Sequence, residues 1–451
     1  NTWLDKGFEL TDSLLAWCKA NHMYLILDLH AAPGGQGNDL NIADRDTTYP
    51  SLWASEENQK KTIALWKKLA ERYVNEPWIG AYDLINEPNF GFTDPVNDKH
   101  GTKEPKNEPL TKLLKEITAA IREVDQKHMI IIEGNGWGNN YNGMLPPWDK
   151  NMVLSFHKYW NFNTDKEIKR MLDAREQYNV PVWLGETGEN SNVWFTEAIT
   201  LLERHNIGWA WWPAKKMGIS NPLEIPANHN FMQVANFFNG TGKQPKESDV
   251  YSGIIEAAVY SKLENCIFHP DVIDAMFRQV KSNKAIPFKS NTLGKNTIIQ
   301  AVDYDLGRQG SAYYDRDTAN YHVSGQPGRG NRGNTYRNDG VDITKDSSHY
   351  EQYYISDIED GEWLQYTVSA ASAKKYKLRI SYGAMEKRAT IDVLINNKLV
   401  AENVYLPATG GMKKWKSIDL NNFVISSGDR IRIKIDRGGF NLKQLEFISA
   451  D

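Results

Sequence analysis

Cysteine is scarce: 451 residues hold only Cys18 and Cys266. That excludes a disulfide framework and a cysteine-bound metal cluster. On helix-like stretches, both read as buried free thiols. Long apolar runs are missing too. None reaches membrane-spanning length, so no membrane partner is expected. Asn1 opens straight onto a helical pattern with no signal peptide, as in a processed or cut start. Positive charge is not in excess either. Asp and Glu outnumber Lys and Arg by 57 to 53, a net charge of −4, whereas nucleic-acid phosphates call for a basic surface. Repeats and low-complexity segments are also absent. Aromatic residues, by contrast, are plentiful, with 15 Trp and 21 Tyr. A core absorbs many of these, yet the flat apolar faces of pyranose rings also stack on such side chains.

A chain of this length exceeds one ordinary core, which predicts two domains. Up to about Val280, long amphipathic helices such as Glu57–Val74 and Pro109–Asp125 alternate with short apolar strands. The strands are expected at Tyr24–Leu29, Ile79–Ile85, Met129–Ile132, Met152–Phe156, Val182–Leu184 and Ile207–Trp212. That alternation predicts a parallel sheet, open or closed. Residues 286–296 read as a linker between a first domain over 1–285 and a second over 297–451. The second domain has short alternating strands, as in Gly361–Val368, Lys375–Tyr382, Thr390–Ile395 and Arg430–Ile435, a β-sandwich pattern. The Gly/Arg/Asn-rich stretch Gly325–Gly340 could form a basic nucleic-acid patch, but Asp339 and Asp342 accompany it and disfavour that reading.

Polar clusters close the strands of the first domain. His30 ends the first, Asn86-Glu87-Pro88 the second, His157 and Tyr159 the fourth, Glu186 the fifth and Trp211-Trp212 the last. In a parallel barrel such strand ends converge on one mouth. Taken singly, each has an ordinary structural explanation: a turn initiated by Pro88, a salt-bridged Glu186, a core histidine, core tryptophans. Strand alternation lets only one of Trp211 and Trp212 face the mouth. Together they suit glycoside hydrolysis, in which one carboxyl protonates the leaving oxygen and another meets the developing oxocarbenium carbon. Asn86 suits a sugar 2-hydroxyl, Tyr159 the orientation of the nucleophile, and His30 and His157 the cleft walls.

These residues resemble glycoside hydrolase family 5, retaining enzymes built on a (β/α)8 TIM barrel. The resemblance implies Glu87 as acid/base, Glu186 as nucleophile and Trp212 as the platform beneath the sugar at the cleavage site. Asp28-Leu29-His30-Ala31-Ala32-Pro33-Gly34-Gly35 looks like the β-glucanase branches rather than the mannanases. The match starts at the family's second barrel helix, with Asn1–Ala20, and at its third strand, with Tyr24–Leu29. The first two strands, and an arginine that helps hold the nucleophile, have no counterpart, so an N-terminally incomplete barrel is expected. Its open edges call for a cover. Candidates are chain beyond this sequence, segments such as Phe90–Pro109 or Gly218–Gly240, or, as favoured here, a second copy in a homo-oligomer.

From about Thr297 the chain resembles carbohydrate-binding module family 6, an all-β jelly-roll sandwich. The matching phrases are Gln300–Asp305, Tyr336–Ile343, Gly361–Tyr366 and Thr409-Gly410-Gly411. The resemblance implies stacking by Tyr336 and hydrogen bonding by Asn441 in a loop-end cleft. It departs at Met412, where the family often has tryptophan; Trp415 follows three residues later. Val302 stands where an acid often contributes to a structural calcium near Gln300, so calcium is allowed rather than required. The chain is thus expected to be a secreted (extracellular or periplasmic) endo-acting retaining β-glucan hydrolase for β-1,4 or mixed β-1,3/1,4 linkages. Its expected partner is a polysaccharide, and its chemistry needs no cofactor. The alternatives are a mannanase or xylanase of the same mechanism, or a catalytically weak glycan-binding protein.

Overall fold

A computed structural model describes residues 3–316, 332, 334–346, 352–386 and 389–450. The expected Gly325–Gly340 feature therefore lies partly outside the described residues. The chain falls into two compact units. The first comprises Asn1–Lys158, Thr164–Thr187 and His205–Ala210; the second comprises Tyr159–Asn163, Gly188–Arg204 and Trp211–Asp451.

The first unit is built on a parallel sheet. In chain order its elements are α1 (Asp5–Ala20), β1 (Leu25–Asp28), α2 (Glu56–Tyr73), β2 (Ile79–Asp83), α3 (Glu108–Arg122), β3 (Met129–Glu133), β4 (Met152–Lys158), α4 (Asp165–Tyr178) and β5 (Val182–Gly188). A sixth strand, β6 (Gly208–Trp212), follows helix α5 (Asn192–Arg204), and the sheet order is β1-β2-β3-β4-β5-β6. This is the arrangement of a TIM-barrel-type half-barrel. Helix α2 starts where the Ser55 hydroxyl accepts the Asn58 N–H, with Glu56 and Glu57 in its first turn and Arg72 in its last. It buries Thr62, Trp66, Ala70 and Tyr73, one stripe at helical spacing. Trp66 Nε1 donates to the Leu84 carbonyl at 2.9 Å, tying the helix to the chain just before Asn86. Helix α3 ends at Arg122 rather than the expected Asp125, because the Asp125 carboxylate accepts the Lys127 and His128 N–H groups and closes a turn instead.

Strand alternation sorts the side chains. Tyr82, Ile130, Ile132, Leu154, Phe156 and Leu184 are buried on one face. On the other, Ala81, Ile131, Val153 and Trp183 form a small apolar cluster, and Asp83, Glu133 and Ser155 follow two residues further along their strands. Strands β4 and β5 run further than expected, so His157 and Glu186 lie within strands and face each other in the ladder. The register shifts at Phe156/His157, which skips Gly185. A Cβ at Gly185 would meet Ser155 Oγ at 2.1 Å and His157 Nε2 at 3.2 Å, so any side chain here would have to displace Ser155 beside the His157 ring. The segment Phe90–Pro109, proposed as an edge cover, is instead tied to the chain after β3. Asn135 accepts the Phe90 N–H and donates to the Phe90 carbonyl and Asn107 Oδ1.

The second unit contains the sandwich. One antiparallel sheet orders Ile343–Lys345, Tyr353–Ile355, Phe440–Ser449, Lys374–Ala384 and Lys416–Ile425, with Asn296–Gln300 also on Phe440–Ser449. The other orders Tyr313–Tyr314, Trp363–Thr367, Arg430–Arg437, Thr390–Ile395 and Lys398–Tyr405. Alternating residues such as Ile431, Ile433 and Ile435, or Leu378, Ile380 and Tyr382, fill its core. Residues 286–296, expected as a linker, are bonded to this sandwich. Ile286 bridges to Leu306, Asn291 Nδ2 donates to the Thr367 carbonyl, and Thr292–Leu293 pairs with Ser369–Ala370. Helix α5 belongs to this unit because it packs on residues 272–279, where the Thr196 hydroxyl donates to the Ala275 carbonyl at 3.0 Å. The two cysteines are half-buried rather than buried, and Cys266 follows a short 3-10 turn instead of lying in a helix.

Glu362 is buried at the start of Trp363–Thr367, where its carboxylate accepts the Arg316 and Glu359 N–H groups. Burial pushes its pKa up to about 7. The folded state therefore holds this proton more tightly than the unfolded chain. The associated stability is present below the ordinary carboxyl range and is lost as pH rises through about 7. Between about pH 5 and pH 8, the melting temperature of Glu362→Gln should rise relative to wild type. A constant difference across that range would contradict the assignment.

Candidate active site

Acids and histidines converge on one face of the parallel sheet. One carboxylate oxygen each from Glu87 and Glu186 and one ring nitrogen of His157 lie within 4.8 Å of one another. One oxygen each from Asp28, Asp83 and Glu133 forms a second such group. His157 links the two. Its Nδ1 stands 2.7 Å from Glu87 Oε1 and 3.4 Å from Glu186 Oε2, while Nε2 stands 3.1 Å from Glu133 Oε1. Only the imidazolium donates from both nitrogens, so this geometry calls for a charged ring. Burial opposes that charge, but Glu133, Glu87 and Glu186 outweigh it and hold the His157 pKa well above its ordinary value. His30 Nε2 is 2.8 Å from Asp28 and 3.8 Å from Glu186. Burial opposes its charge as well, and Asp28 and Glu186 raise its pKa in spite of that.

The chain at Glu87 is held in an unusual shape. Glu87 has φ of 44°, a left-handed conformation that costs a non-glycine residue roughly 1–3 kcal/mol. Its N–H donates to Glu133 Oε2 at 2.7 Å, Asn89 Nδ2 donates to its carbonyl, and Gln36 Nε2 donates to the Asn86 carbonyl. Asn86 Oδ1 is buried with no hydrogen-bond partner in the protein, an acceptor left for a ligand.

Glu133, Asp28 and Asp83 were not singled out from sequence. Glu133 carried a signal, an acid closing the apolar run Ile130-Ile131-Ile132 just as Glu186 follows Val182-Trp183-Leu184. Burial raises the pKa of both Asp83 and Glu133, and Asp83 most. Glu133 faces the His157 ring, whose nearby charge works against that rise in both acids. Tyr159 and Trp212 belong to the second unit. There the Tyr159 carbonyl accepts Asn190 Nδ2. Trp212 is 39% exposed at the end of β6, while Trp211 packs edge-on against Phe195 at 4.4 Å, as alternation requires.

In the sandwich, the Tyr336 ring lies against Tyr353 and Phe288, and its hydroxyl bonds to Asp303 and to Lys289. Trp415 packs on Tyr354, and Asn441 Nδ2 donates to the Met412 carbonyl. Tyr353 and Tyr354 point to opposite faces of one strand, so Tyr336 and Trp415 do not form a single slot. Gln300 pairs with Gln444 across the ladder, and Val302 is buried in the apolar core. Neither side chain is a carboxylate, so this pair offers little of the oxygen shell that calcium requires.

Comparison with known proteins fits this geometry. Residues 2–218 match the family model for cellulase (glycosyl hydrolase family 5). Residues 337–447 match the model for carbohydrate binding module (family 35), which supports the module without fixing it as family 6. The chain joins a family 5 glycosyl hydrolase domain to a carbohydrate-binding module. Endoglucanase C of Acetivibrio thermocellus is 25% identical over 47% of this chain and 74% of its own length. A beta-xylosidase of Phanerodontia chrysosporium is 23% identical over 52% of this chain, which spans about half (53%) of that relative. Among solved structures, endoglucanase Cel5A of Thermotoga maritima has a TM-score of 0.37 and 20% identity, over 46% of this chain and 71% of that one.

In this glycosyl hydrolase domain, Glu133→Gln removes a negative charge from beside His157. The ring then gives up its proton at lower pH, and the alkaline limb of kcat/KM on a soluble polysaccharide should move down by about one pH unit. A limb that stays put or moves upward would remove Glu133 from the proton balance of the site.

Proposed function

We propose that this chain hydrolyses β-linked glucan with retention of anomeric configuration. Glu87 is the general acid/base and Glu186 the nucleophile. The observation that carries this reading is the approach of the two carboxylates, with oxygens within 4.8 Å. Retaining enzymes hold the pair about 5–5.5 Å apart, whereas inverting enzymes leave room for a water between them. In the first step, Glu186 attacks the anomeric carbon while Glu87 gives its proton to the departing glycosidic oxygen. In the second, Glu87 takes a proton from water, the hydroxyl adds to the anomeric carbon, and Glu186 leaves. The unpartnered Asn86 oxygen accepts the sugar 2-hydroxyl, and Trp212, half open at its strand end, offers a stacking face. His157 lies against both carboxylates and balances their charge as the proton moves between Glu87 and the leaving oxygen.

The substrate we favour is a β-1,4 or mixed β-1,3/1,4 glucan cut internally, outside the cell. An endoglucanase among the relatives and the attached carbohydrate-binding module support it. The beta-xylosidase relative keeps xylan as the second reading. Reducing-end release from barley β-glucan, carboxymethylcellulose, laminarin, mannan and xylan separates these, and release from xylan alone would replace glucan as the substrate. Glu186→Ala should lower kcat by at least about a thousandfold with the fold intact. Glu87→Ala should recover much of its first step on an aryl glycoside, whose leaving group needs no proton. Wild-type turnover in Glu186→Ala, or an inverted product anomer, would refute the assignment.

A further inference from the structure

The chain that continues from strand β5 is caught in a buried polar knot inside the second unit. Four residues beyond Glu186 it reaches Asn190, and Asn192 then opens helix α5. Asn338, from the β-sandwich, holds both. Its Nδ2 donates to the Asn190 carbonyl at 2.7 Å and to Asn192 Oδ1 at 3.2 Å. Its carbonyl accepts the Asn192 N–H at 3.0 Å, satisfying one of the donors that a helix N-terminus leaves open. Asn190, Asn192 and Asn338 are each 1% exposed.

Two acids complete the knot. Asp271 Oδ2 accepts from the Asn338 N–H and from Asn192 Nδ2, each at 2.8 Å. Asp339 Oδ1 accepts from the same Asn192 amide at 3.0 Å. The Asp339 carboxylate is fixed in turn by Arg337, which donates from Nε at 3.0 Å and from Nη2 at 2.6 Å. Arg337 itself is fully buried, 3.6 Å above the Tyr304 ring, and donates to the Tyr304 and Asp305 carbonyls. A guanidinium with so many fixed partners has one arrangement open to it, and leaving any of these buried groups unpaired is costly. The turn Arg337-Asn338-Asp339 is therefore shaped around residues 190–192. A module tethered only by a flexible linker would have no use for such a turn.

We infer that Asn338 is a positioning residue for the loop that follows the nucleophile strand, so that the C-terminal module is part of the working hydrolase as well as an appendage. The catalytic consequence rests on the proposed role of Glu186, but the structural one does not. Misplacement of a reacting group by an ångström, even from a remote change, lowers turnover strongly.

The test uses the full chain with Asn338→Ala and with Asn338→Asp, which keeps the shape but removes both donated hydrogen bonds. Hydrogen exchange of the peptide spanning 188–195 should quicken by at least about tenfold in both variants, while peptides from β3 and from Lys374–Ala384 keep wild-type rates. On a soluble oligosaccharide, kcat should fall by about tenfold or more with KM within about twofold. Asp271→Asn keeps an acceptor for the Asn338 N–H and should retain most of the turnover. Unchanged exchange at 188–195 would overturn the inference, as would faster exchange spread through the sandwich strands or wild-type behaviour of Asn338→Asp. An inactive wild type would refute the hydrolase reading alone, because the exchange arm still decides the role of Asn338.

Discussion

The site depends on one buried ring that sits opposite a carboxylate in a β-ladder. His157 and Glu186 are register partners in neighbouring parallel strands, and they meet because the register skips Gly185. Without that bulge, alternation would turn one of the two away from the other. Once in place, the imidazole touches Glu87, Glu133 and Glu186 and compensates a set of acids that would repel one another in a low-dielectric interior. Glu133 then serves twice. It accepts hydrogen bonds from His157 Nε2 and from the Glu87 N–H, and so couples the charge balance of the site to the left-handed backbone of Glu87. Strain of that kind persists only where the surroundings over-determine it. Here Asn89 and Gln36 hold the same turn from its other side.

Much of this was legible in the sequence, for a physical reason. Strands buried on both faces read as apolar runs, and a polar residue that closes such a run points where the barrel opens. That logic found Glu87, His157 and Glu186 and the strands that carry them. It passed over Glu133, because the strand was expected to stop at Ile132. The period of alternation says where an apolar run ends, but not whether the next acid still pairs in the ladder. It also could not place Gly185, since a bulge is a relation between two strands and leaves no mark on either alone. In the sandwich, strand positions were readable from period-two alternation. The partners of Tyr336 were not, because they come from residues 288, 303 and 353, which only the fold brings together.

The change of composition near residue 285 suggested a boundary, yet the compact units divide elsewhere. Composition reports what kind of core a segment can build. It does not report which buried polar groups complete one another. Asn192 and Asp271 lie in the segment read as barrel, and Arg337, Asn338 and Asp339 in the segment read as sandwich. Each nonetheless finds its hydrogen bonds among the others. A buried amide or carboxylate left without its partner costs far more than a pairing contributes, so such a set is assembled whole or not at all. Residues 188–204 therefore follow their polar partners rather than the strand that precedes them. The unit boundary falls at Thr187 and Gly188, one residue beyond the carboxylate that the proposed mechanism needs held still.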